Sequence, residues 1–231
     1  DRRLYEKTPH HFDFLTYRLG TGKIIPSFKV DYKKSELTEY NEAISDQVTE
    51  LVAHYQYLEN LPITNDLLSA PTGYIGSRRT VIEQVQQAII QLATFHSYHD
   101  VQFVPVFREE ELPLWEWSRW LPHMKLQQFN CRSFVYHQRS RDQLLTSLYQ
   151  MIKERKQAAE QAGTNKQLTF TPHYVFVITD LSLMLDHNIM EFINEDLSHL
   201  GISYLFVEDV IESLPEHVNT VVDFKGNRQG T

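Results

Sequence analysis

Between residues 74 and 224 the chain repeats one rhythm: a short apolar run of strand length, a turn, then a longer stretch with helical periodicity. The runs are Tyr74-Ile75-Gly76, 101–107, Phe134-Val135-Tyr136, 174–179, 203–207 and 218–224. Apolar runs bounded by turn residues fit strands buried on both faces. Between them, Val81, Val85, Ile89, Leu92 and Phe95 recur at three- and four-residue steps and predict a helix over 80–95. A long amphipathic helix is expected over 140–162, stopped by Gly163, and another near 188–200. Strands joined through helices return by right-handed crossovers, so the expected fold is α/β with a mainly parallel sheet covered by helices on both faces.

Residues 1 to about 35 alternate differently. Phe12, Phe14 and Tyr17, the turn-like Gly20-Thr21-Gly22 and the run 24–30 predict a small antiparallel hairpin. Leu37, Tyr40, Ile44, Val48, Leu51, Val52 and Tyr55 then predict a helix that Pro62 ends. The expectation is a single domain over 1–231, with a β-rich preamble at 1–35 and an α/β core at 36–231. The start at Asp1 and the polar finish at residues 226–231 read as cuts through a longer polypeptide. No apolar run approaches the roughly 18–20 residues of a membrane span, so any anchor is expected outside this piece.

Lys and Arg total 22 against 30 Asp and Glu, a net charge of −8, part of it concentrated at Glu109-Glu110-Glu111. Phosphate neutralisation dominates nucleic-acid affinity, so no nucleic-acid partner is expected. The single Cys131 excludes an internal disulfide and fits a reducing compartment.

Two stretches carry chemistry. Gly73-Tyr74-Ile75-Gly76-Ser77-Arg78-Arg79-Thr80 lies between a strand and a helix, where a phosphate-binding loop belongs. Laid over G-x-x-x-x-G-K-[ST], Gly73 and Thr80 fit, Arg79 replaces the lysine, and Arg78 replaces the second glycine. In the other register Gly76 ends the strand and only Ser77-Arg78-Arg79 remains, too short to encircle phosphates. An ordinary strand–helix turn with two solvated arginines competes with residual anion binding at a helix N-terminus. The second stretch is the apolar strand 174–179 ending in Asp180, a candidate metal-organising acid. The next position, where a catalytic Glu usually stands, holds Leu181.

Pro172-His173, an apolar strand, Asp180 and the nearby Leu183-Met184 resemble the Walker B region of FtsK/SpoIIIE-type translocases. A wider ordered series is more specific. It comprises Arg3-Leu4-Tyr5-Glu6-Lys7-Thr8-Pro9, Asp13-Phe14-Leu15, Arg18-Leu19-Gly20-Thr21-Gly22, Gly76-Ser77-Arg78, Gln91-Leu92-Ala93-Thr94-Phe95-His96-Ser97, Asp100-Val101 and Trp117-Ser118-Arg119-Trp120-Leu121-Pro122-His123. Together these resemble the first cytoplasmic, stalk-proximal domain of the EssC/EccC family, the membrane-anchored ATPases of type VII secretion, with the firmicute EssC branch nearer. The resemblance implies a RecA-like P-loop NTPase fold with a degenerate nucleotide site, on the cytoplasmic side of a bacterial cell membrane. It implies as partners the transmembrane stalk and downstream ATPase domains of the same polypeptide, other type VII membrane components, and small WXG-type exported proteins. ATP with Mg is the implied cofactor of the parent machine, with none for this domain as the alternative.

Trp115, Trp117 and Trp120 fall within six residues between Pro113 and Pro122, either as a core cluster or, with Arg119, as an exposed anchor for a partner domain. Arg119 and Arg132 are also candidates for fingers reaching a neighbouring subunit. His96 and His99 have H-x-x-H spacing without a zincin carboxylate, so capping and packing are expected of them. Asp186-His187 near Ser182 lacks a nucleophile elbow, and Cys131 reads as structural. Lys153-Glu154-Arg155-Lys156 reads as the solvated face of a long helix. Three functions follow: a coupling module without hydrolysis, an atypical ATPase using Arg79, Thr80 and Asp180, and a DNA translocase, which the charge disfavours.

Overall fold

A computed structural model describes residues 4–28, 42–163 and 168–225, and two compact units divide the chain. The larger comprises the stretch up to Tyr17 and everything from Asp66 onward; the smaller is Arg18–Asn65.

The smaller unit contains most of strands β1 (Thr16–Ile24) and β2 (Leu58–Asp66), paired as a two-stranded sheet, with helix α1 (Glu42–His54) between them in sequence. The expected ribbon therefore exists with a different second strand. Gly20-Thr21-Gly22 lies inside β1, where a side chain at Gly22 would stand 3.1 Å from the Ile63 side chain. The glycine lets the two strands approach closely instead of turning the chain. Residues 29–41, which hold the end of the expected hairpin and the start of the expected helix, lie outside the described residues.

The larger unit is built on five parallel strands: β3 (Thr72–Gly76), β4 (Val101–Val106), β7 (His173–Ile178), β8 (Ile202–Glu208) and β9 (Thr220–Phe224), in the order β4-β7-β8-β3-β9. Strands β5 (Lys125–Leu126) and β6 (Cys131–Arg132) form a separate minimal pair. Helix α2 (Arg78–Phe95) buries Val81, Val85, Ile89 and Leu92 of the predicted stripe, leaves Phe95 half-buried, and contacts β3 and β8. Helix α4 (Gln138–Ala162) packs Leu144, Leu145, Leu148, Met151 and Ile152 among Tyr174, Phe176, Ile178, Tyr204 and Phe206. Those sheet residues are every second one of their strands, so they line one face. Each such aliphatic side chain contributes about 1.5–3 kcal/mol by leaving water.

Two expected elements shrink. Phe134-Val135-Tyr136 is no strand of the sheet but a single parallel bridge, Val106 to Val135, at the edge of β4. The helix expected over 188–200 is reduced to α5 (Met190–Ile193) and a 3-10 turn at Ser198–Leu200. Asp196 explains the break, since its Oδ1 accepts from the Ser198 N–H at 3.1 Å, a local bond that competes with helix continuation.

The run 153–156 is corrected in part. Arg155 is only 8% exposed. Its guanidinium donates to the carbonyls of Leu200 (2.9 Å) and Pro172 (2.9 Å) and stacks near the rings of Phe170 and Tyr174. Gly201, at φ 76°, leaves room for it; a side chain there would meet Arg155 Nη1 at 2.6 Å.

At the same end of the sheet, His96 caps α2. Its Nε2 accepts from the Leu15 N–H at 3.0 Å, so its Nδ1 carries the proton and donates to the Leu92 carbonyl at 2.8 Å. Burial pushes this imidazole down to about 4. His173, bonded to the Ser203 hydroxyl at 2.8 Å, is pushed by burial to about 3. His99 is exposed, so the H-x-x-H pair is a spacing without a site.

Candidate nucleotide-type site and its surroundings

The candidate residues meet at the carboxyl ends of the strands, where parallel α/β sheets place ligands. β3 runs through Gly76, and α2 begins at Arg78, so Ser77 alone joins them. This is the shorter register of the two. Gly76, at φ 138°, is required as glycine, because a side chain would stand 2.8 Å from the Phe224 carbonyl oxygen. Gly73 lies within the strand and makes room for Leu214 and Val218, a packing role. Ser77 donates its hydroxyl to that of Thr80 at 3.1 Å, and its own carbonyl accepts from Val81.

The two arginines separate. Arg79 points to solvent and, among the described residues, pairs with Glu83, one turn along α2. Arg78 folds back across the strand ends. Its Nε and Nη2 donate to the two oxygens of Glu111 at 2.5 and 2.9 Å, and its Nη1 donates to the Thr179 carbonyl at 2.8 Å. This fork-to-carboxylate geometry is the strong form of an arginine ion pair. The expectation of two solvated arginines therefore holds for one of them.

Asp180 follows β7 as expected, but its oxygens are engaged. Oδ1 accepts from the Ser182 N–H at 3.1 Å and the Ser182 hydroxyl at 2.6 Å, and Oδ2 faces Arg108 at 3.6 Å. Leu181 opens a 3-10 turn, Leu181–Leu183. At the end of β8 the Glu208 carboxyl is pushed up, first by burial and then by Asp209, with Arg78 and Arg108 opposing and Asp180 adding to the rise. Two guanidiniums thus share this end with four carboxylates, counting Glu111. Arg108 and Glu111 went unassigned from sequence; their one signal was the position of the acidic run just past β4. Among the described residues, no group of three His, Cys, Asp or Glu is placed to hold a metal ion.

Beside this cluster lies the tryptophan stretch: a 3-10 turn Glu109–Glu111, helix α3 (Leu112–Trp115) and a 3-10 turn Glu116–Trp120. Trp115 is 0% exposed and stacks on Phe107 at 5.2 Å, whereas Trp117 is 37% and Trp120 79% exposed. Arg119 reaches Glu116 at 3.4 Å and lies 6.0 Å from the Trp120 ring. Trp115 is thus a core residue, whereas Trp117 and Trp120 on the same run are exposed. The Gln86 side chain, donating to the Leu114 carbonyl at 2.7 Å, ties the stretch to α2.

No family model matches the chain. The type VII secretion system protein EssC of Staphylococcus aureus is 52% identical over 229 residues, 99% of this chain. The ESX secretion system protein EccC of Geobacillus thermodenitrificans is 36% identical over 231 residues, again 99% of the chain. Over the stretch it matches, the chain belongs to the EssC/EccC family. It spans only 16% of the length of the staphylococcal protein and 15% of the Geobacillus one. The fold carries the same likeness further: a solved structure titled EssC (ATPases 2 and 3) from Geobacillus thermodenitrificans superposes with a TM-score of 0.57 at 11% identity, covering 96% of this chain and 39% of that one. The RecA-like expectation thus agrees with the fold of EssC ATPase modules. Among the described residues, no helix is long and apolar enough to cross a membrane.

Proposed function

We propose that the chain is the first cytoplasmic, stalk-proximal module of an EssC-type motor, and that it couples neighbouring parts of that motor without hydrolysing nucleotide itself. The observation that carries this reading is the one-residue junction between β3 and α2. A phosphate loop works by wrapping successive backbone N–H groups around a triphosphate, and one residue cannot wrap anything. Three further features support it. Arg78 is spent on Glu111 and Thr179, Asp180 is spent on Ser182 and Arg108, and Leu181 cannot orient a water. The residues present therefore do not fit Mg-ATP, and the carboxylate excess at the strand ends opposes a polyanion.

In this reading the module sits on the cytoplasmic side of a bacterial membrane. Its partners are the transmembrane stalk and downstream ATPase modules of the same polypeptide, together with other type VII membrane components. WXG-type exported proteins are cargo of the whole machine. Calorimetric titration of the chain with ATP, with and without Mg²⁺, tests the central point. The expected result is no saturable heat up to millimolar ATP and no phosphate release. Saturable Mg-dependent binding that Asp180→Ala abolishes would replace this reading with the atypical ATPase.

A further inference from the structure

Between the tryptophan stretch and the chain leading into α4 lies a cavity of about 260 Å³. Its lining has a regular origin. Leu112, Glu116 and Arg119 are four and then three residues apart, hence one face of the helical run 112–120. Arg132, Phe134 and Tyr136 are every second residue of an extended segment, hence one side of it. Ser140, in the first turn of α4, completes the wall.

The floor is rigid. Phe134 sets its edge on Phe107 at 5.6 Å, Tyr136 stacks on Phe107 at 5.5 Å, and Phe107 stacks in turn on the buried Trp115. The charged lining is two arginines, Arg119 and Arg132, against one carboxylate, Glu116, in a chain of net charge −8. Arg119 is half exposed and loosely held by Glu116, and Arg132 makes no ion pair among the described residues. A guanidinium left without a carboxylate beside an aromatic wall matches a ligand with an apolar body and a carboxylate, since the planar fork takes both carboxylate oxygens at once. The volume lies below the roughly 300–1,000 Å³ of sites for whole cofactors and suits a single side chain with its acid group.

We propose that this cavity receives a protein segment in which an aromatic or branched apolar side chain stands beside a carboxylate. The side chain enters over Phe134 and Tyr136, and the carboxylate meets Arg132. Trp117 and Trp120, exposed on the same helical run, give the incoming segment further apolar surface. The cavity shares no lining residue with the Arg78–Asp180 cluster, so it stands whether or not that cluster takes nucleotide.

The test is a titration of the ¹⁵N-labelled chain, followed by NMR, with N-acetylphenylalanine, its neutral amide and AMP as probes. The acid is expected to shift the lining residues saturably in the millimolar range, with the amide about tenfold weaker. Arg132→Ala, at an exposed position, should weaken the acid about tenfold and leave the amide unchanged, with the rest of the spectrum intact. Absence of saturable shifts up to about 20 mM acid would overturn the proposal. So would an unchanged acid affinity in Arg132→Ala. Tighter binding of AMP than of the acid at these residues would assign the cavity to nucleotides instead.

Discussion

Each end of the parallel sheet is closed by an arginine, and the two closures differ in kind. At the amino ends of β7 and β8, Arg155 is almost fully buried and, among the described residues, binds carbonyls and aromatic rings. Burial lowers its pKa, and among the described residues no carboxylate meets it. At the carboxyl ends, Arg78 is one-fifth exposed and forks onto Glu111 in a cluster of opposite charges. The first closure is structural: a buried guanidinium is tolerated because its N–H groups are satisfied. The second stands at the carboxyl ends, where parallel sheets of this class place ligands, and is an internal ion pair. The difference teaches that one residue type can close a sheet by satisfied burial at one end and by ion pairing at the other.

Acid should separate the two ends most clearly. His96 and His173, both at the amino end, have folded pKa values of about 4 and about 3 against 6.5 unfolded. Above pH 6.5 both states hold them neutral. Below it the unfolded chain gains protons that the fold refuses, so stability falls as pH drops from 6.5 towards 4. Together they should cost about 4 kcal/mol between pH 7 and pH 5 in denaturant titrations. His96→Gln with His173→Gln should flatten that slope, and an unflattened slope would locate acid sensitivity elsewhere.

Next in size is Arg155→Ala, which strands the carbonyls of Leu200 and Pro172 and opens a cavity. It should cost about 3 kcal/mol and lower Tm accordingly. Arg78→Ala should cost less, about 1–2 kcal/mol, because its exposure lets water replace part of the pair. That loss should shrink as salt rises, whereas the Arg155 loss should not. Arg79→Ala should leave Tm unchanged, since its one partner is a solvent-facing Glu83. Equal losses at Arg78 and Arg79 would erase the distinction between a pinned and a solvated arginine.

Much of this was legible beforehand. The five sheet strands carry short, mostly apolar runs, and α2 and α4 carry apolar stripes at helical spacing, so periodicity found them. What escaped reading depends on contacts distant in sequence. The partner of β1 lies beyond a helix, and local turn chemistry at Gly20-Thr21-Gly22 pointed to a nearer strand. Arg155 hides in a charged run whose composition says solvent, and only the Gly201 turn reveals the space for it. At the candidate site the broken loop pattern was visible, but the fate of Arg78 was not, because Glu111 lies 33 residues away. The three tryptophans look alike in sequence; the aromatic floor at Phe107 claims one and leaves two outside.

The Ser77 junction has a mechanical corollary. A flexible loop between strand and helix takes up slack, so small displacements of one are lost before they reach the other. Here a single residue joins them, so α2, 18 residues and about 27 Å long, is keyed directly to β3, which lies between β8 and β9. A tilt of about 5° at Arg78 would swing the far end of such a rod by about 2 Å. That far end is His96, which grips the backbone of Leu15. The single-residue junction and the Leu15 contact thus stand at opposite ends of one continuous helix.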